Sequence, residues 1–468
     1  MLQFITSAAL FIQLLFMDIL PAKYLIGFGI LAVVFFVLVM VSTKNKKASI
    51  LFMVLSLIVA LIMVWSIRAL MKLDDTIAVT STEDSSESVL VDVVVLDSDE
   101  ATEIEDIAGY DLGYTQDDDA ILTALGMVES DLGTTVASTA YEGATAVAFS
   151  LIEGKQQAIV IEDSYLEILG EIDEFSVLSD GIRIIKSYEI SADSEEESAN
   201  YDTEQETQSG DDTMVVYISG IDTYGTISVK SRSDVNILAI INQSTGKILL
   251  VNTPRDSYVQ LPLSSSSYDK LTHAGLYGVD VSKATLENLY GIDIDYYVRV
   301  NFTGFESIID ALGSITVNSD YSFTTTKGGY WISEGENTLT GAQALSFARE
   351  RKAFADGDYQ RGKNQMEVIR AVIEKMQSSD MLLNFSELMD EISESFQTDM
   401  TSDEIYEVVK RQIDEGTEWE IETYTLTGTG GKSTTYTIPN ARSYVIYPDD
   451  ESLEEAKELI KETLGTDE

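Results

Sequence analysis

Residues 233–256 read SDVNILAIINQSTGKILLVNTPRD. Two apolar runs, 235–241 and 248–251, are separated by the turn-forming QSTG, which is the pattern of a β-hairpin. The apolar strand MVVYISGID (214–222) precedes it. Asp222 ends that strand and Asp234 opens the next, so pairing of the two brings both carboxylates to one sheet edge. Further along, 295–302, 420–426 and 443–448 read as strands. Segments 282–291, 303–314, 339–351, 358–377 and 402–415 read as helices. Thr303 suits an N-cap and Gly313 a C-terminal stop. Met366, Ile369, Val372, Ile373 and Met376 form an apolar stripe that reads as core. The alternation predicts an α/β fold with a central mixed sheet flanked by helices.

Working outward from this unit (213–468), the segment 191–212, SADSEEESANYDTEQETQSGDD, reads as a solvated acidic linker. Before it, strands at 89–96 and 156–162, a helix at 117–133 and a hairpin or strand pair at 175–190 predict a small α/β accessory domain, 89–190. Polar residues 73–88 read as a tether. The first 72 residues hold three apolar runs, at 4–20, 24–42 and 48–67. The last two reach the roughly 20 residues that a membrane-crossing helix needs, and the first does so marginally. KNKK (44–47) lies between the second and third, and the positive-inside rule places it in the cytoplasm. The expectation is a multi-pass cell-membrane protein with two to three transmembrane helices and its large C-terminal part extracellular.

The chain has 79 acidic against 30 basic residues and a formal net charge of -49. That balance opposes nucleic acid, whose phosphates require a basic face. Cysteine is absent and histidine occurs once, at His273, which excludes disulfides, thiolate nucleophiles and His- or Cys-rich metal sites. Any metal must be a hard cation on oxygen ligands.

Against that acidity, LSFARERKAFADGDYQRGKNQ (345–365) crowds Arg349, Arg351 and Arg361 together. Arg361 and Gln365, four apart on a predicted helix, share a face. Arg349 and Arg351 are two apart, so the helix is expected to end near 350 with Arg351 in the loop. Arginine matters here because its planar fork matches phosphate oxygens bidentately. Arg232 and Arg255 each stand beside an aspartate, a spacing that a surface ion pair also produces. Mg²⁺ takes one or two carboxylates and completes its shell with water and phosphate, which suits Asp222 and Asp234. An aspartate at a strand end is also a common turn former. The pattern predicts a diphosphate and divalent-metal site, with local ion pairing as the alternative.

The ordered motifs GIDTYG, SRSDVNILAIIN, VNTPRDSYVQLP, KLTHAG, NFTGFESIIDALGSITV, LTGAQALSFARERK and GDYQRGKNQ closely resemble the LytR-CpsA-Psr family of bacterial envelope proteins. The resemblance runs over about residues 214–377, with the tail completing the domain. It implies a phosphotransferase that moves a glycopolymer, of teichoic acid or capsular polysaccharide type, from a polyprenyl pyrophosphate carrier to peptidoglycan. A pyrophosphatase and a non-enzymatic envelope regulator or lipid-binding scaffold are the alternatives. By position, Asp222 and Asp234 match the family's Mg²⁺ ligands, with Mn²⁺ as the alternative metal. Arg232, Arg255, Arg349, Arg351, Arg361, Gln365 and Lys270 match its pyrophosphate set, among which Arg255 is expected to be catalytic with Asp234. Asn364 stands where the family usually has arginine, and the neighbouring Lys363 is the candidate replacement charge. His273 is read as structural in preference to a general base.

Overall fold

The computed structural model describes residues 2–18, 20–42, 46–80, 88–191, 212–225, 227, 229–378, 381 and 385–465. Three helices open the chain: α1 (Leu2–Phe16), α2 (Ala22–Ser42) and α3 (Lys46–Thr80). Ala22–Val41 and Ile50–Arg68 are long and apolar enough to cross a membrane. With 15 residues, α1 is shorter than the roughly 20 that a span needs. Ile26, Leu31, Leu51 and Trp65 are exposed on α2 and α3, an apolar surface that water alone does not favour. At the α1–α2 corner, Met17 enters the core of the large unit, Lys23 pairs with Asp414 at 2.6 Å and Asp18 pairs with Lys410. Ion pairs this exposed contribute about 0–1 kcal/mol each, so Met17 is the firmer anchor.

Helix α3 runs on to Thr80, so the first part of the segment read as a tether is helical. Propagation of an established helix is far easier than its nucleation, and 73–80 continue one. Tether residues 81–87, Lys44 and Asn45 of the basic cluster, and 192–211 of the acidic segment lie outside the described residues.

The accessory unit is a five-stranded mixed sheet built from β1 (Ser88–Leu96), β2 (Asp111–Thr115), β3 (Ala137–Tyr141), β4 (Ala158–Glu162) and β5 (Ile182–Ser191), in the order β3-β2-β4-β1-β5. Helices α4 (Asp119–Leu132), α5 (Ala144–Ile152) and α6 (Asp163–Gly170) cover it. The expected hairpin at 175–190 is instead a helical turn, Val177–Asp180, followed by the single strand β5. Phe175 and Leu178 are both buried, and a spacing of three suits a helical turn rather than strand alternation.

The large unit centres on a six-stranded sheet of β6 (Thr213–Ile221), β7 (Ser233–Asn242), β8 (Lys247–Asn252), β9 (Tyr296–Val300), β10 (Phe396–Thr398) and β11 (Glu420–Thr425). Its order is β10-β9-β6-β7-β8-β11; the β9–β6 and β8–β11 pairs are parallel and the rest antiparallel. Alternation decides the layers. Val215, Tyr217, Leu238, Ile240, Leu249 and Val251 face a core shared with α7 (Val279–Tyr290) and the C-terminal helix, and Val216, Ile237, Ala239, Ile248 and Leu250 face Met366. The remaining helices are α8 (Phe302–Ala311), α9 (Gly341–Arg349), α10 (Gly357–Met376), α11 (Phe385–Ile392), α12 (Ser402–Glu415) and α13 (Asp450–Leu464). Asn301, not Thr303, caps α8, its side chain accepting from the Gly304 N–H at 2.8 Å. Sequence reading missed α13, although Leu453, Ala456 and Ile460 behind Asp449 and before Gly465 carry its signal. Strand 443–448 pairs with Gly428–Ser433 in a separate ribbon.

The two units share apolar packing. Ile438 and Ala441 of the large unit enter the core formed by α5, α6 and Phe175, and Leu276 packs against it. A fully buried aliphatic side chain such as Ile438, 2% exposed, is worth about 1.5–3 kcal/mol. Backbone pairing of Ser88 with Val229 extends the junction.

Candidate active site

Asp222 directly follows β6, Asp234 is the second residue of β7, and Arg255 follows β8. The β6–β7 register sets Gly220 against Val235 and Ile221 against Ser233, with a bulge between, so both aspartates emerge at one sheet end. Helix α9 stops at Arg349 because Glu350 turns to an extended conformation, its carboxylate accepting from the Ala353 N–H at 3.0 Å and the Thr326 hydroxyl at 2.9 Å. Arg351 therefore sits in the loop. Arg361 and Gln365 lie on the first half of α10. A cavity of about 280 Å³ gathers Asp222, Arg232, Asp234, Arg255, Arg349, Arg351, Arg361 and Gln365, with Ile218, Val300, Phe305, Leu345, Val368 and Ile369 as its apolar lining.

One wall is charge-compensated. The Arg255 guanidinium donates through Nη1 to both Asp234 oxygens, at 2.9 and 3.0 Å, and through Nη2 to Glu171 Oε1 at 2.9 Å. Arg232 donates Nη1 to Glu171 at 2.8 Å, and Nη2 to Glu167 at 2.8 Å and Asp222 at 3.1 Å. Burial alone would favour protonated Asp234, but Arg255, Arg232 and Arg361 outweigh it and hold the carboxyl far below the usual range. Glu171 behaves alike: burial is outweighed by Arg255, Arg232 and Lys270, giving about 2. For Glu167 burial prevails over Arg232, and its carboxyl rises to about 7.

The opposite wall carries less compensated positive charge. Arg349 stacks over Phe302 with 3.6 Å to the ring centre, donates to the Tyr224 hydroxyl at 3.2 Å and lies 3.4 Å from Asp222. Arg361 and Arg351 share Asp358, at 3.2 and 3.7 Å. Burial, together with Arg255 and Arg351 nearby, lowers Arg361 below the ordinary arginine range despite Asp358. Burial and the charge of Arg349 likewise lower Lys327, which lines the same cavity. Cations gathered around one space suit an anion there.

Two expectations need correction. Lys270 does not line the cavity; buried behind Arg255, it pairs with Asp256 at 3.0 Å and reaches Glu171 at 3.5 Å. Lys363 is exposed and supplies no charge to the cavity, while Asn364 is buried and donates to the Phe347 carbonyl at 3.1 Å, fastening α10 to the end of α9. The residues that sequence reading missed are Lys327, Glu167 and Glu171. Lys327 lies in a hairpin loop with no motif around it. The two glutamates come from the accessory unit, where nothing local marks them.

Asp222 and Asp234 are two carboxylates on one cavity, a donor set of the kind that Mg²⁺ completes with water and phosphate. Among the described residues no three His, Asp or Glu side chains form a metal cluster on their own. The donor chemistry thus fits a metal shared with a phosphorylated ligand.

His273 is buried, 2.6 Å from Asp269 through Nδ1, and does not line the cavity. Asp269 also accepts the Thr437 N–H at 2.7 Å. His273→Ala is expected to destabilise by about 1–3 kcal/mol, since it strips a partner from a buried carboxylate. Turnover per folded molecule should stay unchanged, and thermal melts beside active-site-normalised rates check both. Burial would raise the Asp269 carboxyl, but His273 and Thr437 lower it. Its stabilisation is therefore present above the unfolded value and lost as pH falls through the folded one.

The model of the LytR_cpsA_psr family matches residues 182–461. The chain is 34% identical over 182 residues to the polyisoprenyl-teichoic acid–peptidoglycan teichoic acid transferase TagU of Bacillus mycoides, covering 39% of this chain and 59% of that protein. To the Oceanobacillus iheyensis protein of the same name it is 36% identical over 181 residues, covering 37% and 55%. The matched segments span little over half the length of these curated relatives. Among solved structures, B. subtilis TagV aligns with a TM-score of 0.47 at 28% identity, over 55% of this chain and 98% of that one. TagT bound to LI-WTA aligns with a TM-score of 0.46 at 30% identity, over 56% and 94%.

Proposed function

The chain belongs to the LytR-CpsA-Psr family, and on that premise we propose that it transfers a glycopolymer from a polyprenyl pyrophosphate carrier to peptidoglycan outside the cell membrane. The observation that carries the reading is the cavity itself: Lys327, Arg349, Arg351 and Arg361 form an under-compensated cationic wall beside an apolar lining. A diphosphate fits the first and the polyprenyl chain the second. The relatives named as teichoic acid transferases support a teichoic-acid type of polymer.

The arginines bind the diphosphate oxygens and stabilise charge that builds as the bridging P–O bond breaks. An acceptor sugar hydroxyl forms a new O–P bond at the phosphorus next to the glycan, and polyprenyl phosphate leaves. Asp234 and Glu171, held strongly ionised, are poor bases; the hydroxyl proton ends on the departing phosphate. Asp222 and Asp234 would hold Mg²⁺, or Mn²⁺ in its place, and the metal would neutralise phosphate charge. The apolar lining positions the lipid, so attack becomes effectively intramolecular.

Helices α2 and α3 anchor the protein as a multi-pass chain. Contact of the α1–α2 corner with the large unit supports a topology with that corner and the catalytic unit on one side. The basic segment 44–47 then falls on the cytoplasmic side.

The test incubates the full chain in micelles with Mg²⁺, a glycan on polyprenyl pyrophosphate and peptidoglycan fragments. Glycan phosphate joined covalently to the acceptor is the expected result. Release of free glycan phosphate without acceptor product replaces transfer by hydrolysis. No change in either substrate leaves a scaffold.

A further inference from the structure

The two shortest carboxylate contacts to Arg232 come from outside the family-matched segment 182–461. Glu167 lies in α6, and Glu171 caps the end of that helix, four residues later and on the same face. Glu171 Oε1 accepts from Arg232 and Arg255 together, and the side chain lines the cavity that these arginines border. Each arginine keeps another carboxylate without it. Arg232 also has Asp222, and Arg255 has both oxygens of Asp234, with Asp256 3.7 Å from its Nε. What Glu171 adds is a negative charge against the same guanidinium nitrogens that a diphosphate requires.

We propose that the accessory unit regulates this site through an internal anion: Glu171, assisted by Glu167, occupies the Arg232–Arg255 part of the cradle in the resting chain, and an incoming diphosphate must displace it. The inference rests on the diphosphate reading of the cavity. Helix α6 is seated for the role by its shared core with Ile438 and Ala441. Lys432 pairs with Asp173, two residues beyond Glu171, at 3.1 Å. An anion supplied from a separate folding unit can be withdrawn without dismantling the sheet that bears the arginines. Asp222, directly after β6, and Asp234, in β7, have no such freedom.

Calorimetric titration of the full chain in micelles with methylenediphosphonate, a diphosphate that cannot hydrolyse, tests this with and without Mg²⁺. Glu171→Gln keeps size and one acceptor oxygen but removes the charge; it should bind the probe at least about tenfold more tightly, equivalent to about 1.4 kcal/mol. Glu167→Gln/Glu171→Gln should bind more tightly still. Glu171→Ala, with no acceptor at all, must also gain affinity. Unchanged or weakened binding by folded Glu171 variants, judged by thermal melts, overturns the inference and makes Glu171 an orienting residue. Arg361→Gln separates the two levels. If it abolishes probe binding while the Glu171 variants change nothing, the diphosphate site stands and the internal anion falls. If neither native chain nor any Glu171 variant binds the probe, the diphosphate reading itself falls and takes the internal anion with it.

Discussion

Arg255→Ala should lower glycopolymer transfer by about 10²–10³-fold, the scale of losing one preorganised donor to a developing oxyanion. It should also weaken the fold. Arg255 holds both Asp234 oxygens, and Asp234, half-buried at the cavity wall, keeps only the Thr272 hydroxyl as a hydrogen-bond partner once the guanidinium is gone. Removing one partner of a buried ion pair typically destabilises by about 3–5 kcal/mol. Rate loss alone is therefore ambiguous, and Arg361→Gln resolves it. Burial, with Arg255 and Arg351 nearby, disfavours the charged form of Arg361 despite its ion pair with Asp358. A neutral side chain there relieves that repulsion, so its melting temperature should hold or rise while transfer falls by a similar factor. A cation that the fold tolerates poorly and activity requires is the signature of a ligand-binding charge. Should Arg361→Gln lose stability and keep its rate, the guanidinium is structural and the cationic wall is not the binding surface.

How much of this was legible beforehand follows from the range of each interaction. The hairpin 233–252 and the α9 break at Glu350 are local consequences of periodicity and of two arginines spaced by two, and each could be read from a dozen residues. The convergence of Asp222, Arg232 and Asp234 needed only that β6 and β7 pair. Glu171 could not be found that way. Its importance arises from docking of α6 onto a different unit 61 residues before Arg232, through apolar residues such as Ile438 that no local pattern connects to it. Lys363 failed for the opposite reason. Sequence adjacency to Asn364 suggested a charge for the cavity, but on a helix adjacent residues point about 100° apart, and burying Asn364 turns Lys363 to solvent. The separate ribbon of 443–448 shows the same limit, since strand character does not name the sheet.

Gly275→Ala should damage both fold and site although alanine is ordinarily a conservative choice there. Gly275 has φ -62, an ordinary helical conformation, so no backbone strain is involved. The obstacle is space. A Cβ on Gly275 would lie 2.5 Å from the Ser231 carbonyl oxygen, 2.8 Å from the Ser233 nitrogen and 3.3 Å from the Arg232 carbonyl carbon. All three are backbone atoms, so no rotamer change clears them. Either the turn Leu271–Ala274 lifts away, unpacking Leu271 and Ala274 from the core, or the start of β7 shifts and carries Arg232 and Asp234 with it. Overpacking of this sort costs about 1–3 kcal/mol, and more when only backbone can yield. A displacement near 1 Å in a positioned catalytic group can lower rate about 10²-fold. The expected outcome is a lower melting temperature together with loss of methylenediphosphonate affinity. Gly126→Ala in α4 is the control, because its Cβ meets nothing within 4 Å and helix propensity should leave it equal or more stable. A Gly275→Ala protein that melts like the native chain and binds the probe normally would show that the KLTHAG turn does not set the position of Arg232, and the close approach would then be incidental to the site.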